Sequence, residues 1–225
     1  MPNLFQRIPR NAFLLIALLA LVVMSPAVTK SGSAWLFELF FDAILLSGVH
    51  SVGPGKHRWP FVVLTVFTLG VRWTERLSGV VALDVGALAV TVIWLAYAVW
   101  IIIAHLFQRR NVSVNTLLGA MVAYLLVAVA FTLLFEMIEL RHPGSFSGLP
   151  PSAGGDRREL SSSMVYFSLV CMTTMGFGDI VPVSQLARPL AVLEGVFGQL
   201  YLAVMIARLV GLHIAGGDEQ EPRQR

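Results

Sequence analysis

The chain has 225 residues, of which 56% are hydrophobic and 13% charged, and its mean hydropathy is +0.77. A soluble domain of this size needs a far more polar surface, so the composition excludes one and puts nearly all of the mass in a bilayer. The net charge of +3 is spread over short loops, which gives no reason to expect nucleic acid, and the single Cys171 excludes an intrachain disulfide or a cysteine-cluster metal site.

A helix needs about 20 mostly apolar residues to cross the hydrocarbon core. Six runs approach that length: residues 12–28; 34–49, which carries Glu38 and Asp42; 60–71, short and flanked by Trp59 and Trp73; 85–104; 117–135, without charge; and 190–207, interrupted by Glu194 and Gln199. The first run is read as a retained helix. Its alternative, a signal peptide with Arg7 and Arg10 ahead and small residues near Ser33 and Ala34, makes the run too long. Six spans put both termini on one side. Arg7, Arg10, Lys56, Arg58, Arg109 and Arg110 fall there, against Lys30, Arg72 and Arg76 opposite, so that side is the cytoplasm by the positive-inside rule. Arg141, Arg157 and Arg158 fall in a long outer loop.

Arg72 and Arg76 read as interfacial loop charges. Glu38 and Asp42, four apart on one helix face, read as carboxylates paired with basic groups on neighbouring helices. His50 and His57 flank a solvated Gly-Pro-Gly loop. The expected organisation is a four-helix peripheral unit over 1–106, a linker at 107–114, a rear unit over 115–211 and a short polar tail at 212–225.

The rear unit opens with a helix. An irregular turret follows, marked by Pro143-Gly144, Leu149-Pro150-Pro151 and Gly154-Gly155. Ser161, Ser162 and Ser163 then cap a short helix ending near Met172. After it comes Thr173-Thr174-Met175-Gly176-Phe177-Gly178-Asp179. Non-helical backbone is tolerated at membrane depth only where it lines a water or ion path. The C-terminal end of the short helix would aim partial negative charge at that path, which favours a cation. Gly176 and Gly178 can take left-handed angles without a Cβ clash. Alternating them with Met175 and Phe177 turns successive carbonyls toward one axis and sends those two side chains back onto the short helix.

This stretch resembles the selectivity filter of the tetrameric potassium channels, Thr-Val-Gly-Tyr-Gly-Asp. Tyr166-Phe167-Ser168 upstream, with Asp179, Pro182, Ser184, Ala187-Arg188, Gly195 and Gly198 downstream, extend the resemblance over residues 115–211. It implies an all-α membrane protein with six transmembrane helices, a re-entrant pore helix and a filter loop between helices five and six. It further implies a homotetramer in membrane lipid that conducts K+ passively. The ion-binding residues would be Thr174, Met175, Gly176, Phe177 and Gly178, with K+ at the carbonyls of the first four. Tyr166, Val170, Thr173 and Asp179 would support the filter. Gly198 would be a gating hinge or a close-packing residue, and Glu194 a brace or a titrating gate. No organic cofactor and no soluble partner are expected. Short loops without disulfides suit a bacterial inner membrane.

The departures from the family pattern matter. Met175 replaces Val, and Phe177 replaces Tyr, losing a hydroxyl that braces the filter in the family. Val170 stands where some relatives place a carboxylate, and Cys171 where Thr is common. Voltage-gated relatives carry arginine at every third position of the fourth helix, whereas residues 85–104 contain no Lys or Arg, so no arginine sensor is expected. The alternatives are a weakly selective cation channel, a potassium transporter subunit, or a non-conducting regulatory subunit of another channel. An enzyme is not expected, because no nucleophile–base pair, phosphate loop or metal cluster is visible.

Overall fold

The computed structural model describes residues 10–30, 34–51, 57–78, 81–108, 113–154 and 156–218. Its helices are α1 (Arg10–Lys30), α2 (Ala34–Ser51), α3 (Arg58–Ser78), α4 (Val81–Gln108), α5 (Val114–Arg141), α6 (Arg157–Met172) and α7 (Ala187–Asp218). Helix α5 is central and packs against α1, α4, α6 and α7. It starts where Ser113 accepts from the Thr116 amide at 3.2 Å while the Thr116 hydroxyl accepts from the Ser113 amide at 3.4 Å, a reciprocal cap. Along α5, Leu126 and Leu133 join Leu14, Leu18, Trp94 and Ile101 in one apolar core.

Each of the six apolar runs falls on a helix. Among the described residues, three helices are long and apolar enough to cross a membrane: Val85–Gln108, Val114–Arg141 and Ala187–Gly211; Asn11–Met24 is a shorter apolar stretch. The all-α membrane architecture therefore stands at that level.

The structure corrects two local expectations. The third run is not a short one ending at residue 71: α3 continues to Ser78 and takes Arg72 with it. Arg72 is buried rather than a loop charge, and it faces Asp42 of α2 with Nε–Oδ1 at 3.8 Å. A hydropathy count stops at the first charges, whereas a helix carries on when those charges meet a partner across the interface. The second correction concerns α6. It begins at Arg157, with Asp156 as its N-cap accepting from the Arg158 amide at 3.0 Å. The serine run lies one turn inside, and the Ser161 hydroxyl donates to Glu136 instead. Arg157 and Arg158 are thus helical and not turret residues.

Polar side chains tie the helices together. Trp94 Nε1 of α4 donates to Thr65 Oγ1 of α3 at 2.7 Å, and a Cβ on Gly48 of α2 would lie 2.6 Å from the Trp94 ring. Asn11 of α1 donates to the Asn115 carbonyl at 2.9 Å, and Tyr201 of α7 donates to the Ala120 carbonyl at 2.7 Å. His57, placed by sequence in a solvated loop, stands edge-on to Trp100 with ring centroids 5.2 Å apart. The side chains of Glu38, His50, Arg76 and Asp84, residues 1–9 with Arg7, residues 109–112 of the linker and residues 219–225 of the tail lie outside the described residues.

Candidate functional site

Helix α6 delivers the motif. Its buried side positions Phe167 against Phe135 and Phe146, with centroids 5.1 and 5.3 Å away, so a cluster of aromatic edges fixes the helix on α5 and the turret. At its C-terminus the last carbonyls are all engaged. Leu169 O accepts from the Thr173 amide at 3.0 Å and from the Thr173 hydroxyl at 2.6 Å. Cys171 O accepts from the Thr174 amide at 3.0 Å and Val170 O from the Met175 amide at 3.0 Å, while Met172 O accepts from the Tyr124 hydroxyl at 2.9 Å. The charge expected at this helix end is therefore shared among hydrogen bonds.

From there the backbone alternates. Thr174 has φ +56°, Gly176 φ +59° and Gly178 φ +75°, and the residues between them are not left-handed. Left-handed angles at alternate residues are the backbone condition for turning successive carbonyls toward one side. Sequence reasoning expected this of the two glycines but not of Thr174, a β-branched residue for which that conformation is strained. Gln199 of α7 donates to the Thr174 hydroxyl at 3.1 Å and holds it from below.

The side chains of the motif are less enclosed than expected. Met175 is 63% exposed and Phe177 65% exposed in the single chain, although the Phe177 ring stacks on Tyr166 of α6 with centroids 6.4 Å apart and planes 6° from parallel. Tyr166 also donates its hydroxyl to Asp179 Oδ2 at 2.7 Å. The hydroxyl at this end of the stretch is thus that of Tyr166 on α6, and its partner is Asp179. That hydrogen bond holds the Asp179 carboxyl below the usual carboxylate range, with the Ile180 and Asp179 amides adding to the effect. Val170 is buried and contributes its carbonyl rather than its side chain.

Behind the motif, α7 crosses the end of α6. A Cβ on Gly198 would stand 2.2 Å from the Met172 carbonyl oxygen, so close packing accounts for this glycine. Glu194 is fully buried, and its Oε1 lies 2.5 Å from the Ser168 hydroxyl, which is itself 2.7 Å from the Ala128 carbonyl. One serine thereby joins α7, α6 and α5.

Several contributors were not foreseen from the sequence. Gly148 of the turret, at φ +85°, lies so close to the outlet that a Cβ would be 1.8 Å from the Asp179 carbonyl oxygen. The turret and outlet then pair as β1 (Phe146–Ser147) and β2 (Val181–Pro182), antiparallel, with Phe146 opposite Pro182. Glu139 holds the turret by accepting from the Gly144 and Phe146 amides at 2.7 and 3.1 Å. Tyr124 is equally silent in the sequence, and the contacts of Ser168 and Gln199, which the sequence marks only as a motif residue and a polar break, come from folding.

Comparison with known proteins points the same way. Residues 117–213 match a family model described as "Ion channel". Two similar curated proteins are both named Protein LctB. The one from Bacillus caldotenax is 26% identical over 101 residues, covering 45% of this chain and 75% of that protein. The one from Geobacillus stearothermophilus is 24% identical over 107 residues, covering 48% and 79%. No solved structure matches the chain. Over residues 117–213, which hold α5, α6, the stretch 173–179 and most of α7, this chain is similar to the ion channels of that family model.

Proposed function

We propose that the chain is a subunit of a potassium-selective channel that conducts K+ passively through rings of backbone carbonyls. The observation that carries this reading is the alternation of left-handed angles at Thr174, Gly176 and Gly178. It presents a row of oxygens able to replace the hydration shell of a desolvated monovalent cation. One chain supplies one side of such a row, and residues 173–179 are all exposed in it. A homotetramer around a central axis completes the ligand set and covers Met175 and Phe177. The rings are formed by Thr174, Met175, Gly176 and Phe177, with the Thr174 hydroxyl innermost, Gly178 at the outlet, and Tyr166, Thr173, Val170 and Asp179 as support. Glu194 and Gly198, where α7 crosses α6, belong to the gating region in this reading.

In this reading the subunit sits in a cell membrane of bacterial inner-membrane type with six spans and both termini cytoplasmic, which the apolar helices support. Helix α4 carries no Lys or Arg, so an arginine sensor does not drive the gate. The subunit works without organic cofactor, nucleic acid or soluble partner.

The test is the reversal potential of the purified protein in planar bilayers under opposing K+ and Na+ gradients. A reversal close to the K+ equilibrium potential is expected. A reversal near zero with measurable current would replace this reading with a weakly selective cation channel, the consequence of Met175 and Phe177 in the filter. Failure to restore growth to a potassium-uptake-deficient host, with no current in bilayers, would point to a regulatory subunit.

A further inference from the structure

Arg157 occupies the first turn of α6, where the helix dipole disfavours a cation. Asp156 as N-cap and Glu159 in the first turn already satisfy that helix end, so Arg157 is not there for the helix. Its guanidinium turns inward. Nε donates to Glu136 Oε1 of α5 at 3.1 Å, and Nη1 donates to Glu75 of α3. Glu136 is 2% exposed, and its second oxygen accepts from the Ser161 hydroxyl, also of α6, at 2.8 Å. One turn before Glu75, Arg72 faces Asp42 of α2. Arg72, Glu75, Glu136, Arg157 and Ser161 line a cavity of about 320 Å³ that Phe41 of α2 and Leu88 of α4 help to enclose. Three peripheral helices therefore meet the start of the pore helix around one chain of alternating charge: Asp42, Arg72, Glu75, Arg157, Glu136.

A buried carboxylate deprived of its cation is strongly destabilised. The start of α6 cannot shift away from α5 and α3 without drawing that cation off buried Glu136 and partly buried Glu75. Helix α6 has 16 residues and its far end leads directly into Thr173 and Thr174. A helix of that length is a rigid rod of about 24 Å. We propose that Arg157 is a positioning residue through which α2 and α3 set the pose of the pore helix, and with it the stability of the filter. This gives the peripheral helices a role at the pore that does not require charge movement. It rests on the channel reading above.

The experiment uses the full chain, reconstituted in liposomes, as wild type, Glu75→Gln, Arg157→Gln, the double variant and Arg157→Lys. Two readouts are taken: hydrogen exchange of the α6 amides, and single-channel open probability in K+. Each single Gln variant is expected to speed exchange in the first two turns of α6 at least tenfold. Each should also change open probability at least fivefold, with unitary current and reversal potential unchanged. The double variant should match Arg157→Gln rather than multiply the two singles, and Lys at 157 should recover part of the effect. Multiplicative effects, or unchanged exchange in Glu75→Gln, would overturn the proposal. If Arg157→Gln does not assemble, Glu75→Gln decides alone, because it leaves the Arg157–Glu136 pair intact. A wild type without current would sink the channel reading, whereas the exchange rates would still decide the positioning role.

Discussion

At the C-terminal end of the stretch 173–179, one side chain makes two contacts. Tyr166 stacks its ring on Phe177 and gives its hydroxyl to Asp179. Because that bond favours the ionised carboxyl, Asp179 titrates below the ordinary carboxylate range. The sign follows directly. A depressed carboxyl contributes stability above its unfolded value and loses it as pH falls through the folded one. Outer-side acidification should therefore leave wild-type current decay unchanged down to the ordinary carboxylate range and speed it only below. Asp179→Asn, and likewise Tyr166→Phe, should decay quickly already at neutral pH. Recordings in bilayers with the outer solution stepped downward in pH measure this. Acceleration of the wild type well above the carboxylate range would show that another group controls the outlet. Thr174 is the other residue at which local preference yields: a β-branched side chain at φ +56° costs about 1–2 kcal/mol. Its neighbours hold it there, through the Met175 amide on Val170 O and Gln199 on the Thr174 hydroxyl.

Between elements, the decisive contact is α7 over the end of α6. Glycine at 198 lets the helices approach until backbone meets backbone at Met172. Gly198→Ala must push α7 outward, because the obstructing atom is a carbonyl oxygen that cannot rotate away. Overpacking of this kind costs about 1–3 kcal/mol. Gly211, on the same helix, faces open space. Gly211→Ala should be neutral, since alanine is the better helix former. Thermal unfolding of the assembled protein in detergent, monitored by size-exclusion, separates the two. A Gly198→Ala protein as stable as Gly211→Ala would favour the hinge reading over the packing one. At this scale the sequence is only partly legible. Helix positions follow from hydropathy, because apolar runs announce themselves locally. The left-handed angles at Gly176 and Gly178 follow from the glycine spacing, because glycine takes them without a Cβ clash. The start of α6 does not follow, since a serine run resembles a cap and only the fold shows that Ser161 is taken by Glu136. Gly148 is unreadable for the same reason: its neighbour is Asp179, thirty-one residues away in the chain.

Across the whole molecule, two charged attachments join the front helices to α6 and α7, beside the apolar packing of α1 and α4 on α5. One attachment is the Arg157 network at the start of α6. The other lies near the C-terminal end of α4, where Arg208 of α7 donates to the Leu106 carbonyl at 2.5 Å and places its guanidinium 4.6 Å from the centre of the Phe107 ring. Arg208 thereby joins the lower part of α7 to the unit in front of it, beyond the crossing at Gly198. Neither partner was visible in the sequence, because Phe107 reads as the edge of a linker and Arg208 as a charge at the end of an apolar run. A change that frees this end of α7 should act on opening and leave ion selection alone, since Glu194 and Gln199, nearer the start of α7, keep their contacts with Ser168 and Thr174. The two halves of the contact differ in strength. Removing the ring in Phe107→Leu forfeits a cation–π contact worth about 0.5–2 kcal/mol. Arg208→Leu loses that contact together with a charged hydrogen bond of about 1.5–3 kcal/mol. Open probability measured at fixed K+ should therefore change in both variants, in the same direction, and more in Arg208→Leu. The reversal potential should stay at the wild-type value in both. A shift in reversal potential would mean that the lower end of α7 and the filter move as one body, and the attachment at Arg208 would then belong to ion selection as well as to the gate.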